Sequence, residues 1–400
     1  MIGSNKLISK SYKVSVIFFL VMFVIGTDTF LVSPLLPTLV NYYGISTSLS
    51  GMIVSAYALG YTLSALTAGP ISDGHSRRKI LIGGLLCFSG ATAFCGFANT
   101  FFLMISARFL AGVSAAFVGP QVWASIPVVV SKDKIVSTMG IASAGLAVSQ
   151  IIGIPIGSYL AVFSWRFPFF FISAISILLC LVTSLQLPAI DVDTQKSKTS
   201  FWRIYKNLFI NRRALLYLVA YFTFQIGNFC SLSFIGTWFN KSFSLSVGQI
   251  GSAMILIGVG NLLGTICSGK IVNQIGIPKA LFFELIAYIG LYALVSFSTN
   301  IWIAQILLAL IFLIGGFIFP LFMTTLQATT DTARSTISSL SNAAMYLGET
   351  LGGMAGGVLI TKITGFWGIS LFTVVLAMIS LLLYGKAGLF RGVKRFHTGS

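Results

Sequence analysis

Charge is scarce in this chain of 400 residues. Charged residues make up 8% of it, and only 8 residues are acidic. An average soluble chain carries roughly 25% charged residues, so a soluble, water-covered fold is excluded. Histidine occurs only 2 times, at His75 and His397. The pair lies too far apart in sequence to suggest a metal site or a catalytic dyad. The 5 cysteines are Cys87, Cys95, Cys180, Cys230 and Cys267; all fall in apolar runs and none forms a C-x-x-C. They read as small core residues rather than a disulfide framework or metal ligands. No glycine-rich phosphate loop is present, so nucleotide-driven chemistry has no site, and no enzyme constellation or cofactor motif emerges.

Apolar sequence is what the chain has in abundance. Hydrophobic residues make up 56%, and the mean hydropathy is +0.96. Disorder and collagen-like repeats are thereby excluded. A bilayer-spanning helix takes about 20 apolar residues. That ruler predicts twelve spans, at 14–39, 48–71, 79–97, 101–127, 135–162, 167–187, 213–239, 248–270, 279–297, 301–326, 337–360 and 366–385. The first run contains Asp28, Pro34 and Pro37, and is too long and wrongly flanked for a cleaved signal peptide. One connection stands out: 188–212 is polar and cationic, and reads as a linker between residues 1–187 and 213–400. Within it, Phe201–Phe209 mixes aromatics with cations in the manner of a segment lying on the membrane surface.

The net charge of +17 follows this segmentation rather than forming a nucleic-acid footprint. With the N-terminus placed inside, twenty-one of the 25 Lys and Arg fall on the inner side. Arg166, Lys241 and Lys362 fall outside, and Arg108 alone lies within a span. The positive-inside rule then predicts that both termini are cytoplasmic. The short connections suit a bacterial inner membrane.

Sliding the chain on itself by about 200 residues superposes Gly69, Asp73 and Lys79 on Gly269, Asn273 and Lys279, and Gly153 and Gly157 on Gly353 and Gly357. Gly26 falls one residue from Gly227. Six spans, a linker and six spans form a parallel-repeat arrangement known among secondary transporters, with the binding region expected near mid-membrane between the halves.

Four motifs carry a family resemblance. The loop from Gly69 through Asp73, Arg77 and Arg78 to Lys79 resembles the signature G-x-x-x-D-[RK]-x-G-[RK]-[RK] of the major facilitator superfamily. Gly74 stands where a cation is usual and Ser76 where glycine is usual, while Asp73, Arg77 and Arg78 keep their spacing. Arg108-Phe109-Leu110-Ala111-Gly112 resembles the R-F-x-x-G motif of its fourth helix, whose arginine the resemblance implicates in proton or substrate coupling. Gly145, then Gly153-Ile154-Pro155-Ile156-Gly157, then Trp165-Arg166, resembles the fifth-helix motif of its exporters. Glycines four apart make a smooth packing face, and a proline bends the axis. Gly348, Gly352 and Gly356, with Gly353 and Gly357, offer an equivalent face in the second half. Gly26-Thr27-Asp28-Thr29-Phe30 with Pro34 and Pro37 resembles the first helix of the drug:proton antiporter-1 group.

The resemblance implies an all-α fold of two six-helix halves, and a monomeric, proton-coupled antiporter that exports a small organic molecule. Three ionisable residues fit that role by depth. At 1.5 Å per residue, Asp28, Arg108 and Glu349 lie about 21, 20 and 18 Å from the inner edge. An arginine at a helix centre costs at least about 2.5–3.5 kcal/mol and needs a partner or a wet cavity. Low dielectric favours a neutral carboxyl and a nearby guanidinium favours a charged one, so either carboxyl can exchange a proton there. Gln225, Asn228 and Asn261 are candidates for the substrate cavity, with packing hydrogen bonds as the competing reading. Glu284, about one turn inside the inner edge, can snorkel to water. Two other functions compete: an uptake symporter or uniporter of the same fold, and a membrane receptor or scaffold that transports nothing.

Overall fold

The computed structural model describes residues 2–72, 76–131, 134–187, 211–329 and 334–390. Its helices are α1 (Ile2–Tyr43), α2 (Thr47–Ser72), α3 (Arg77–Phe97), α4 (Phe101–Val129), α5 (Ile135–Val148), α6 (Ile154–Phe163), α7 (Phe167–Gln186), α8 (Arg212–Phe243), α9 (Val247–Ile275), α10 (Ile277–Val295), α11 (Ile301–Gln327), α12 (Arg334–Lys362) and α13 (Trp367–Lys386). A π turn, Ser149–Gly153, joins α5 to α6, so the two act as one rod. Among the described residues, 11 rods are long and apolar enough to cross a membrane. The 26-residue α2 makes the twelfth predicted span. No strand occurs among the described residues. The surface-segment reading of Phe201–Phe209 lies outside them.

Local chemistry fixes where the rods start and stop. The Thr100 hydroxyl accepts from Leu103 N at the start of α4, and Asn300 caps α11 through Trp302 N. Asn211 does the same for α8 through Arg213 N and Ala214 N. Each satisfies amide groups that the first helical turn would leave bare. Thr100 and Asn300 are 200 residues apart, so the repeat extends to its caps. Ser244, at φ 56°, ends α8 in the left-handed region.

The chain forms two compact units. One comprises Met1–Ile45, Ala56–Lys196 and Ser246–Ile255; the other comprises Ser46–Ser55, Ser197–Leu245 and Leu256–Ser400. In the first, α1 packs on α5 and α7, and α3 on α4 and α7. In the second, α8 packs on α12 and α13, and α10 on α11 and α13. This is the same pairing scheme, which is the repeat expressed as packing.

Small polar side chains hold these contacts. Ser15 and Thr138 lie 3.1 Å apart between α1 and α5; Ser89 bonds Ser173 between α3 and α7; Thr373 bonds Gly227 O between α13 and α8. Hydrogen bonds between small residues let helix backbones approach where lipid offers no hydrophobic drive. Large apolar side chains such as Phe102, Phe163, Leu185 and Leu382 stand exposed on the outside, as a lipid-facing surface requires. The protein is a multi-pass membrane protein.

Candidate functional site

In the first unit, the arginine on α4 and the aspartate on α1 meet. Arg108 Nη1 donates to Asp28 Oδ2 at 2.7 Å, and both residues are 1% exposed. Arg108 Nη2 lies 3.5 Å from the Asp28 carbonyl. The guanidinium also sits 4.4 Å over the ring of Tyr57 on α2, a contact worth up to about 2 kcal/mol when desolvated. Thr29 Oγ1 in turn lies 3.2 Å from the Tyr57 hydroxyl.

Glycine sets this geometry. An added Cβ on Gly112 would fall 1.9 Å from Tyr57 O, and one on Gly60 would fall 2.2 Å from Phe109 O. Only glycine lets α2 and α4 cross so closely, and the crossing delivers the Tyr57 ring to an arginine one turn away. The rod α5–α6 presses on α1 from another side. Gly145 meets Phe19 O, Gly153 meets the Thr27 hydroxyl beside Asp28, and Gly157 meets Leu31. Pro155 sits near the start of α6, just past the π turn, so the bend expected of the proline comes with a change of helix type.

The pair is not saturated. Asp28 Oδ1 and Arg108 Nε have no hydrogen-bond partner, although buried polar atoms are nearly always satisfied. Such a pair has room for one more polar group or for a proton: a proton on Asp28 would weaken its hold on Arg108 and leave the guanidinium free for another acceptor.

Glu349, Gln225, Asn228 and Asn261 lie in the second unit. Glu349, on α12, is 2% exposed. Gln225 and Asn228 come together on α8: Gln225 Nε2 donates to the Tyr221 hydroxyl at 2.9 Å, Asn228 Nδ2 to Gln225 Oε1 at 3.4 Å, and the Tyr288 hydroxyl to Asn228 Oδ1 at 3.1 Å. The chain of bonds ties α8 to α10, with the Phe224 ring 4.9 Å from that of Tyr288 and tilted against it by 40°. Asn261 lies where α9 crosses α11: a Cβ on Gly316 would fall 2.3 Å from Asn261 O. Arg78, at the start of α3, donates to Ser184 O at the end of α7, and Arg77 precedes it as the first residue of α3. Asp73 lies outside the described residues, and of Gly69 only its place in α2 is described.

Three features escape sequence reasoning. Tyr57 is one aromatic in a run of small residues, with no pattern that points at Arg108. Glu284 does not snorkel: it is 6% exposed, because the helices around α10 enclose it. The second-half glycines that face α8, the counterpart of α1, are Gly348, Gly352 and Gly356. Gly353 and Gly357 instead meet Ser55 Oγ and Ser48 O, so the structural repeat runs one residue off the 200-residue register.

Residues 18–353 match the sequence profile of the Major Facilitator Superfamily. The chain is 46% identical over 368 residues to the uncharacterized MFS-type transporter YceJ of Bacillus subtilis, covering 92% of this chain and 94% of that one. It is 25% identical to multidrug resistance protein 2 of Bacillus subtilis, over 82% of this chain and 84% of the relative. A bacterial homologue of the human lysosomal transporter Spinster, solved in an inward-facing and unoccupied conformation, shares the fold with a TM-score of 0.75 at 17% identity, over 96% of this chain and 98% of that one. The profile match covers most of the chain and the 46% identity runs over 92% of it, so this chain belongs to the major facilitator superfamily of transporters.

Proposed function

We propose that the protein exports a small organic molecule in exchange for protons. The observation that carries this reading is the buried Asp28–Arg108 pair, with one carboxylate oxygen and one guanidinium nitrogen unsatisfied. Charge at that depth is expensive and marks function by default. Protonation of Asp28 releases Arg108, and deprotonation recaptures it. Proton and substrate thereby compete for one set of groups, which is the minimum that exchange requires. Glu349 contributes a second buried carboxyl, and Gln225, Asn228 and Asn261 are the polar groups offered to substrate. The halves 1–187 and 213–400 move against each other in the cycle, and the Gly145–Gly157 motif favours export over uptake. Similarity to multidrug resistance protein 2 supports a drug-like organic substrate. Both termini face the cytoplasm of a bacterial inner membrane, and the working unit is a monomer.

The test uses everted membrane vesicles with an internal pH-sensitive dye. A proton gradient is imposed, and ethidium and a panel of amphipathic drugs are added to wild type, Asp28→Asn and Glu349→Gln. Drug-triggered proton release that vanishes in Asp28→Asn supports the reading. Drug movement that needs no gradient and survives unchanged in both variants refutes proton coupling.

A further inference from the structure

Glu284 is the one acid in the second unit's spans that the proposed cycle leaves idle. It stands seven residues into α10, about 10 Å from the helix start, and is 6% exposed. Among the described residues, neither of its carboxylate oxygens has a hydrogen-bond partner and it makes no ion pair.

The helices around it offer little charge. On α10 itself the titratable residues are Lys279, Tyr288 and Tyr292; α11 has none; α13 has Tyr384 and Lys386; α8 has Arg212, Arg213, Tyr217, Tyr221, Cys230 and Lys241. The Tyr288 hydroxyl is directed to Asn228, and Arg213 Nε to Tyr217. Among the described residues no ion pair balances a charge on Glu284, and an enclosed carboxylate without a counter-charge or donor is strongly disfavoured against its neutral acid.

The route to the end of the helix is short but covered. Gly388, at φ 82°, turns the chain after α13, and Leu389 N bonds Tyr384 O at 3.1 Å. The turn seats Phe390 against Phe282 of α10, with ring centroids 5.4 Å apart, two residues before Glu284.

We propose that Glu284 is a second proton-binding site of the protein, separate from the Asp28–Arg108 pair and held as a neutral carboxylic acid in the packed state. It rests on the exporter reading only for what the proton is used for; the binding itself is a property of this enclosure. Loss of the covering turn, or parting of α10 from α13, admits water and lets the proton leave.

Infrared difference spectroscopy of the purified, full-length protein during pH titration tests this without any substrate. The wild type should show a carboxylic-acid carbonyl band that Glu284→Gln loses and Asp28→Asn keeps. An identical acid band in wild type and Glu284→Gln overturns the proposal. As a second measurement on wild type alone, the apolar reagent dicyclohexylcarbodiimide adds across the O–H of a buried neutral acid and remains whole on the protein as an acylurea. Mass mapping should place that adduct on the peptide containing Glu284, with labelling suppressed as pH rises; an unlabelled Glu284 overturns the proposal. Failure of drug-driven proton release in vesicles, with the infrared band intact, would strike the exporter reading and leave Glu284 standing.

Discussion

Removing one member of the Asp28–Arg108 pair should cost more than removing both. Asp28→Asn strands a guanidinium that is 1% exposed; the Tyr57 ring and the carbonyl at 3.5 Å beside it carry no counter-charge. Arg108→Gln strands a carboxylate whose other oxygen already has no partner. Breaking a buried pair from one side typically costs about 3–5 kcal/mol, whereas replacing both charges is often close to neutral. The double variant Asp28→Asn/Arg108→Gln is therefore expected within about 2 kcal/mol of wild type, with a coupling of at least about 3 kcal/mol in the cycle. The two single variants should also respond differently to pH. The stranded carboxylate can take a proton and the guanidinium cannot lose one, so the loss in Arg108→Gln shrinks as pH falls while that in Asp28→Asn stays level. Reversible unfolding in mixed micelles, followed by tryptophan fluorescence at several pH values, reads all four corners of the cycle. Additive losses, with the double variant as unstable as the sum of the singles, would refute the claim that the two side chains neutralise each other.

Gly153→Ala would set a Cβ 2.1 Å from the Thr27 hydroxyl and should lower stability by about 1–3 kcal/mol through overpacking; Gly83→Ala, with nothing within 4 Å, should be silent in the same thermal melt. Tyr288→Phe removes the donor to Asn228 Oδ1 and should cost about 1 kcal/mol, seen as a lower melting temperature. A fluorescent protein fused after Ser400 should mature and glow, while alkaline phosphatase inserted at 244–246 should be active; the opposite pattern would invert the predicted orientation.

The extent to which sequence spoke for structure depended on the kind of information. Span limits were legible because apolar length is set by the bilayer: 101–127 and 301–326 fall almost on α4 and α11. That Asp28 and Arg108 stand level with each other was legible because rise per residue is fixed and two charges in apolar runs cannot hide. What surrounds a side chain was not. Depth gives position along an axis but not the neighbour around it, so the Tyr57 ring over Arg108 and the partners of Gln225 and Asn228 emerged only with the fold. Glu284 was misread for the same reason: its distance from the helix end suggests water, yet α11 and α13 enclose it. Single-residue register was the third blind spot, since a stretch rich in glycine aligns almost as well one step away.

The π turn at Ser149–Gly153 acts as a phase corrector. In unbroken α-helix, eight residues wind about 800°, leaving Gly153 about 80° around the rod from Gly145. A turn closed by i→i+5 bonds takes in one additional residue and so removes about 100° of winding. Gly145 and Gly153 come back to within about 20° of one line, and Gly157 follows a turn later, so all three glycines address α1 although their spacing alone would splay them. A seven-residue step in plain helix would also bring two glycines within about 20° of one line. Gly-x6-Gly in one chain and Gly-x7-Gly with a π turn in another can therefore encode one and the same surface.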